Sequence, residues 1–227
     1  MVLRFFLLAA AFFLSCTEVE RDNPYDSGGK NYMGEKPSSS SSNKSSSSFV
    51  LPPYSSKSLI TYGPSVDYGG ETYKSVVIGP QTWMARNLNY AANGSKCYGE
   101  GILSEDEIQA NCDKYGRLYD WATAKSICSG GWHIPSKAEW EKLWDFVDID
   151  NLRATSWGNG TDKYGFAALP GGGGGRYNDG SIYFGGVGDR GFWWSANEGE
   201  FEIRENGATC CGEASASGLR SVRCLQN

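Results

Sequence analysis

The chain of 227 residues has a single histidine, His133, only three methionines and no Cys-x-x-Cys pair. A tetrahedral zinc site draws its ligands from Cys and His at close spacings, and no such set exists here. Basic runs are missing as well: the formal net charge is −5. Without a stripe of Lys and Arg, nucleic acid is excluded as an expected partner. No apolar stretch reaches the roughly 20 residues that cross a bilayer. Asp148-Ile149-Asp150-Asn151 lacks the spacing and the glycine of an EF-hand loop. The Gly171 to Gly175 run is followed by neither Lys-Ser/Thr nor a helix start, so it lacks the parts of a phosphate cradle. No cofactor is expected, and no metal site is assigned; a calcium ion held by loop carboxylates such as Asp179 and Asp189 has no motif behind it.

What is present falls into three parts. Met1 to Ser15 carries one Arg, an apolar run from Phe5 to Leu14 and a small residue before Cys16, the layout of a secretory signal. The sharper expectation is a lipoprotein signal in which Cys16 becomes the lipid-bearing N-terminus, although Phe13 stands where the usual pattern prefers Leu. Residues 16–57 have almost no apolar periodicity, and Ser38 to Ser48 is nearly pure serine. Such a segment cannot bury enough apolar surface to offset its conformational entropy, so it reads as a flexible tether. Residues 58–227 form the third part, a single domain long enough for a core of its own.

Within that domain the strongest helix signal is the capping box of Ser136 and Glu139, which starts a helix at Lys137. Trp140, Leu143, Trp144 and Val147 then fall on one face, which must be buried. Before it, Trp121, Ala124 and Cys128 share a side of a shorter helix that ends at Gly130-Gly131. Trp132-His133-Ile134 reads as a strand between the two, with His133 as a hydrogen-bonded structural residue. Elsewhere, turn residues separate short aromatic or β-branched runs, which argues for many short strands. Tyr68 to Glu71 is a turn, Thr72 to Ile78 a strand, and Gln81 to Met84 its return after Gly79-Pro80. Phe166 to Leu169 reads as a strand, and Gly171 to Gly175 as a long mobile loop leading into the next hairpin.

Two places could touch a ligand. Around the glycine run, Arg176, Tyr177, Asn178, Asp179 and Tyr183 combine polar groups with rings. In Gly191 to Ala196, strand alternation sends Trp193 and Trp194 to opposite faces, one into the core and the other toward a loop or solvent. An exposed indole beside Asn197, Glu198 and Glu200 would give a sugar ring an apolar face and hydroxyl partners. The competing reading makes both tryptophans structural. Glu198, Glu200 and Glu202 could supply paired carboxylates for glycoside hydrolysis, but such a run is more often a solvated strand face.

The runs YGRLYDWATA, CSGGWHIPSKAEWEKL, KYGFAALPGG, WWSA and SVRC, in that order, resemble the Fibrobacter succinogenes major paralogous domain, over roughly Ser65 to Leu225. The resemblance implies an α+β, C-type-lectin-like fold with two short helices packed on curled antiparallel strands, and long loops between them. It implies that Cys128 pairs with Cys224 and that Cys97 and Cys112 close the acidic Glu105-Asp106-Glu107 loop. It leaves Cys210 and Cys211 open: they could be free, joined to each other or to another molecule, or exchanged with the other pairs. An even count of six cysteines after Cys16 fits an oxidising compartment. The leading expectation is a non-catalytic module on the cell envelope, lipid-anchored at the outer membrane or cell surface, that binds polysaccharide or another glycan. The alternatives are an enzyme of the formylglycine-generating type, which would need a reactive cysteine pair, and a structural or protein-docking domain with an envelope protein as partner.

Overall fold

The computed structural model describes residues 60–227. The signal segment, Cys16 and the serine-rich tether lie outside these residues. Among the described residues no helix is long and apolar enough to cross a membrane.

The sequence–structure match is closest where side chains dictate backbone. Helix α3 spans Lys137–Phe146, and both halves of its capping box are formed. The Ser136 hydroxyl accepts from Glu139 N, and the Glu139 carboxylate accepts from Ser136 N at 2.7 Å. Trp140 and Leu143 are fully buried and Val147 nearly so. Trp144, expected on the same face, is 39% exposed; it meets Phe201 edge to face at 6.4 Å between centroids but is not enclosed. Helix α2, Trp121–Ile127, is capped by the Asp120 side chain, and Gly130 and Gly131 both take positive φ just after it.

A third helix, α1, spans Glu105–Tyr115. It replaces the acidic loop expected between Cys97 and Cys112, so the domain has three helices rather than two. Its start is again a capping box, Ser104 with Glu107, with three acidic residues in the first turn where the helix dipole favours them. Ile108, Cys112 and Tyr115 form its buried side.

Three sheets complete the α+β fold. Strands β1 (Val66–Tyr68) and β2 (Glu71–Tyr73) make a small hairpin across the expected Gly69-Gly70 turn. The expected Thr72 to Ile78 strand is thus two strands, β2 and β3 (Ser75–Ile78), interrupted at Lys74. A four-stranded sheet runs β3-β4-β13-β6, with β4 at Gln81–Met84, β6 at Trp132–His133 and β13 at Leu225–Gln226. The third sheet has the order β11-β10-β9-β12-β7-β8, with β5 (Leu118–Tyr119) against β12. Its members are β7 Gly171–Arg176, β8 Ile182–Val187, β9 Arg190–Trp194, β10 Gly199–Arg204, β11 Gly207–Glu213 and β12 Gly218–Ser221.

The glycine run is therefore a strand, and its five glycines are buried. The expectation of a mobile loop fails because aromatic rings supplied from elsewhere cover the bare backbone. A Cβ on Gly171 would meet the Tyr115 ring, one on Gly172 the Tyr98 ring, one on Gly174 the Phe184 ring and one on Gly175 the Tyr183 hydroxyl. Conversely, Phe166 to Leu169 is no strand. Its one strand-like pairing is an isolated bridge, Arg153 with Ala168, and Ala167 has a φ of 49°.

Two cores flank strand β9. Trp193 belongs to one with Trp83, Trp140, Phe166 and Phe201, and Trp140 stacks on Phe201 at 4.6 Å and 12°. Trp194 belongs to the other with Trp121, Trp132, Val222 and Cys224. The disulfide Cys128–Cys224 ties the end of α2 to the segment before β13, and Cys97–Cys112 fastens α1 to the loop ahead of it.

Candidate functional site

Both tryptophans of the WWSA run are fully buried. Trp193 Nε1 donates to Asn87 Oδ1 at 2.7 Å, and Trp194 Nε1 donates to the Tyr119 carbonyl at 2.7 Å. The alternation places them on opposite faces as expected, but both faces are covered, so neither indole is open to a sugar. This corrects the expectation of an exposed stacking surface there. Trp121 lies 5.3 Å from Trp194, and together with Tyr119 it supplies the second cover. Asn197 is exposed, but its Oδ1 accepts from Lys137 N at the head of α3. Its role is thus a helix cap.

The acidic run is not a plain solvated face either. Glu202 is 6% exposed and binds Arg204 through both oxygens, at 2.6 and 2.8 Å, with Arg190 at 3.5 Å. Glu200 pairs with Arg220. Both carboxylates thus have guanidinium partners, and Glu202 has almost no solvent face. His133 bridges Asn227 Oδ1 at 2.6 Å and Glu139 Oε1 at 3.0 Å, the hydrogen-bonded role expected of it. Asp189 pairs with Arg190, and Asp179 Oδ1 accepts from Ser181 N and Oγ. Among the described residues no group of three or more His, Cys, Asp or Glu stands close enough to hold a metal ion.

The remaining expected site residues come together at the tip of the β7–β8 hairpin. The turn is tight: Tyr177 N donates to the Ser181 carbonyl at 2.8 Å, and Gly180 N to the Tyr177 carbonyl at 2.9 Å. Gly180 has a φ of 85°, which a side chain would resist. The Ser181 hydroxyl and amide bonds hold the Asp179 carboxyl below the usual range. Arg176 N donates to the Ser217 carbonyl, fixing the base of the hairpin.

On this tip Tyr177 is 58% exposed and Tyr183 42% exposed, with ring centroids 4.8 Å apart at 46°. Tyr183 lies back over Gly175, where a Cβ would come within 2.5 Å of its hydroxyl oxygen. The glycine lets the ring lie against the strand. Arg176 is half-buried, while Asn178 and Asp179 are exposed beside the rings. The arrangement offers two tilted rings on a turn that also carries the exposed Asn178 and Asp179, while Arg176, paired with Ile182, alternates to the other face from Tyr183. Sequence reasoning found these residues but placed them on a loop; the hairpin that orients them rests on the glycine strand it did not recognise.

No match was found among curated proteins or among solved structures. The model of the Fibrobacter succinogenes major domain matches residues 76–226, from β3 through β13, and the chain belongs to that family.

Proposed function

We propose that the domain is a non-catalytic glycan-binding module and that the Tyr177–Tyr183 pair is its contact surface. One observation carries this reading: two large rings stand exposed together on a hydrogen-bonded turn, while seven of the eight tryptophans, Trp83, Trp121, Trp132, Trp140, Trp157, Trp193 and Trp194, are buried. A pyranose presents an apolar face and a rim of hydroxyls. Tyrosine rings take the face, and Asn178 and Asp179 exchange hydrogen bonds with the rim. The turn is already ordered by its own backbone bonds, so binding pays little extra conformational entropy.

The finer fold assignment, C-type-lectin-like, belongs to the same proposal. Its support is the sheet in which the last strand, β13, pairs with the early strand β4, and the Cys128–Cys224 bond just before β13. The lipid anchor at Cys16, the serine tether and residence on the cell envelope complete the picture, supported by the sequence pattern of residues 1–57. Metabolic lipid labelling of the wild type and of Cys16→Ala tests the anchor: equal labelling of the two would remove it.

The binding reading is tested by retention on a panel of insoluble and soluble polysaccharides. Each ring contact is worth about 0.5–1.5 kcal/mol. Tyr177→Ala and Tyr183→Ala should therefore each weaken retention by a factor of roughly 2 to 10, and together abolish it, with the circular dichroism unchanged. Full retention by the double variant, or no retention of the wild type on any glycan, would overturn the proposal.

A further inference from the structure

Cys210 and Cys211 are joined to each other. They sit on β11, at the place where its pairing with β10 slips: Phe201 faces Cys210 and Glu200 faces Gly212, leaving Cys211 as the extra residue of a β-bulge. Cys211 has a φ of 61°, the left-handed region that a bulge of this kind normally fills with glycine. A cysteine held there is in a conformation that opening the bulge would relieve.

The three disulfides differ in what an incoming thiol can reach. Cys97 and Cys112 are 4% and 1% exposed, and Cys224 is fully buried in the second core. Cys210 and Cys211 are both partly buried, and so is Cys128, but the Cys128 bond runs back to the fully buried Cys224, whereas neither member of the Cys210–Cys211 pair is a fully buried residue. The Arg117 guanidinium lies 3.3 Å from Cys97 Sγ and 3.4 Å from Cys112 Sγ, which would favour a leaving thiolate at that pair, but burial shuts off the approach. Access and electrostatics thus point to different pairs. Exchange needs the attacking thiolate to reach a sulfur along the S–S axis, so access decides.

We infer that Cys210–Cys211 is a site of thiol–disulfide exchange, opened by a dithiol reductant while Cys97–Cys112 and Cys128–Cys224 stay closed. Cys210 Sγ lies 3.9 Å from the Lys137 carbonyl at the head of α3. The incoming thiolate attacks Cys211 Sγ, on the residue held at left-handed φ. The S–S bond breaks, its electron pair leaves on Cys210 Sγ, and a mixed disulfide forms on Cys211. The second thiolate of the reductant then attacks its own sulfur in that mixed disulfide and expels the Cys211 thiolate. The reductant leaves as a cyclic disulfide, oxidised by two electrons, and the two cysteine thiolates each take up a proton. The Cys210 thiol then has the Lys137 carbonyl as its acceptor. This site is independent of the glycan contact on the opposite edge strand of the sheet.

The test is reduction of the native, full-length chain with dithiothreitol, trapping with N-ethylmaleimide at successive times, and peptide mapping. Cys210 and Cys211 should be alkylated roughly tenfold or more faster than the other four, with tryptophan fluorescence unchanged. A Cys210→Ser/Cys211→Ser variant should lose that fast phase and keep its fold. Simultaneous opening of all three pairs, earlier labelling of Cys97 and Cys112, loss of fluorescence with the fast phase, or free thiols at 210 and 211 before any reductant would each overturn the inference. Glutathione used as a single-thiol probe should be recovered on Cys211; recovery on Cys210 would overturn the direction of attack.

Discussion

Asn87 Oδ1 receives Trp193 Nε1 at 2.7 Å and, on the same oxygen, Arg223 Nε at 3.0 Å and Nη2 at 2.7 Å. Its own Nδ2 donates to the Tyr115 carbonyl at 2.9 Å, so one small amide joins α1, β9 and the last segment of the chain. Arg223 is 1% exposed, and burial lowers its pKa to about 9, with Asp162 opposing the shift. Asn87→Ala would leave the Trp193 donor and the Nε and Nη2 donors of a buried guanidinium without their acceptor, Nη1 alone keeping the Phe166 carbonyl. A loss of about 3–5 kcal/mol is expected, measured by urea unfolding. A loss under about 1 kcal/mol would show that water substitutes for the amide.

Trp194→Ala should cost about 3–5 kcal/mol of stability through the cavity it leaves. Glycan retention per folded molecule should stay unchanged. A folded Trp194→Ala protein with no retention would put the contact surface back beside this residue and away from the hairpin.

The glycine strand makes a paired prediction. At Gly172, φ is 65° and a Cβ would come within 2.6 Å of the Gly185 carbonyl oxygen. At Gly180, φ is 85° but nothing lies within 4 Å. Gly180→Ala should cost about 1 kcal/mol, from conformation alone. Gly172→Ala adds a backbone clash and should cost well above that, roughly 2–4 kcal/mol. Equal midpoints in denaturant for the two variants would contradict the packing described for β7.

Acid should weaken the head of α3. Burial tends to raise the Glu139 pKa, but its bonds from Ser136 and His133 outweigh that and hold it below 4.5. A carboxyl depressed in the folded state contributes stability above its unfolded pKa and loses it as pH falls through the folded value. Stability of the wild type should therefore fall below about pH 4.5, and Glu139→Gln should flatten that limb while lowering stability at neutral pH by about 1 kcal/mol. Thermal midpoints from pH 7 to pH 3 measure it; superimposable curves would refute the assignment.

Replacing Cys128 and Cys224 together by alanine opens a crosslink spanning 96 residues. The loop-entropy relation gives up to about 4.7 kcal/mol, less where the unfolded chain keeps structure. The double variant should show a correspondingly lower midpoint in denaturant under oxidising conditions.

Legibility in the sequence followed the reach of the interactions. Ser136 and Glu139 act on each other within one turn, so the helix start at Lys137 could be read to the residue. Ser104 and Glu107 carry the same signal, with Ile108, Cys112 and Tyr115 behind it, but reading Cys97 and Cys112 as the ends of a loop obscured the helix between them. Gly171 to Gly175 carry no side chains, and their strand exists because Tyr98, Tyr115, Phe184 and Tyr183 cover it; no local pattern announces that. Alternation separated Trp193 from Trp194 correctly. It could not report that Trp121 and Tyr119, some seventy residues away, seal the second face. Of the expected site, Arg176, Tyr177, Asn178 and Asp179 share the hairpin tip, whereas Asn197 serves α3 and both tryptophans serve the cores.

Strand β13 has one further consequence. Leu225 pairs with Trp83 of β4 and with His133 of β6, so this sheet has its middle filled by the strand that comes last in the order of the fold. A chain still emerging from the ribosome has β4 and β6 before it has the strand between them. The domain therefore cannot close vectorially from its N-terminal end. The sheet stays open until Leu225 arrives, and a variant lacking β13 would leave β4 and β6 without the strand between them.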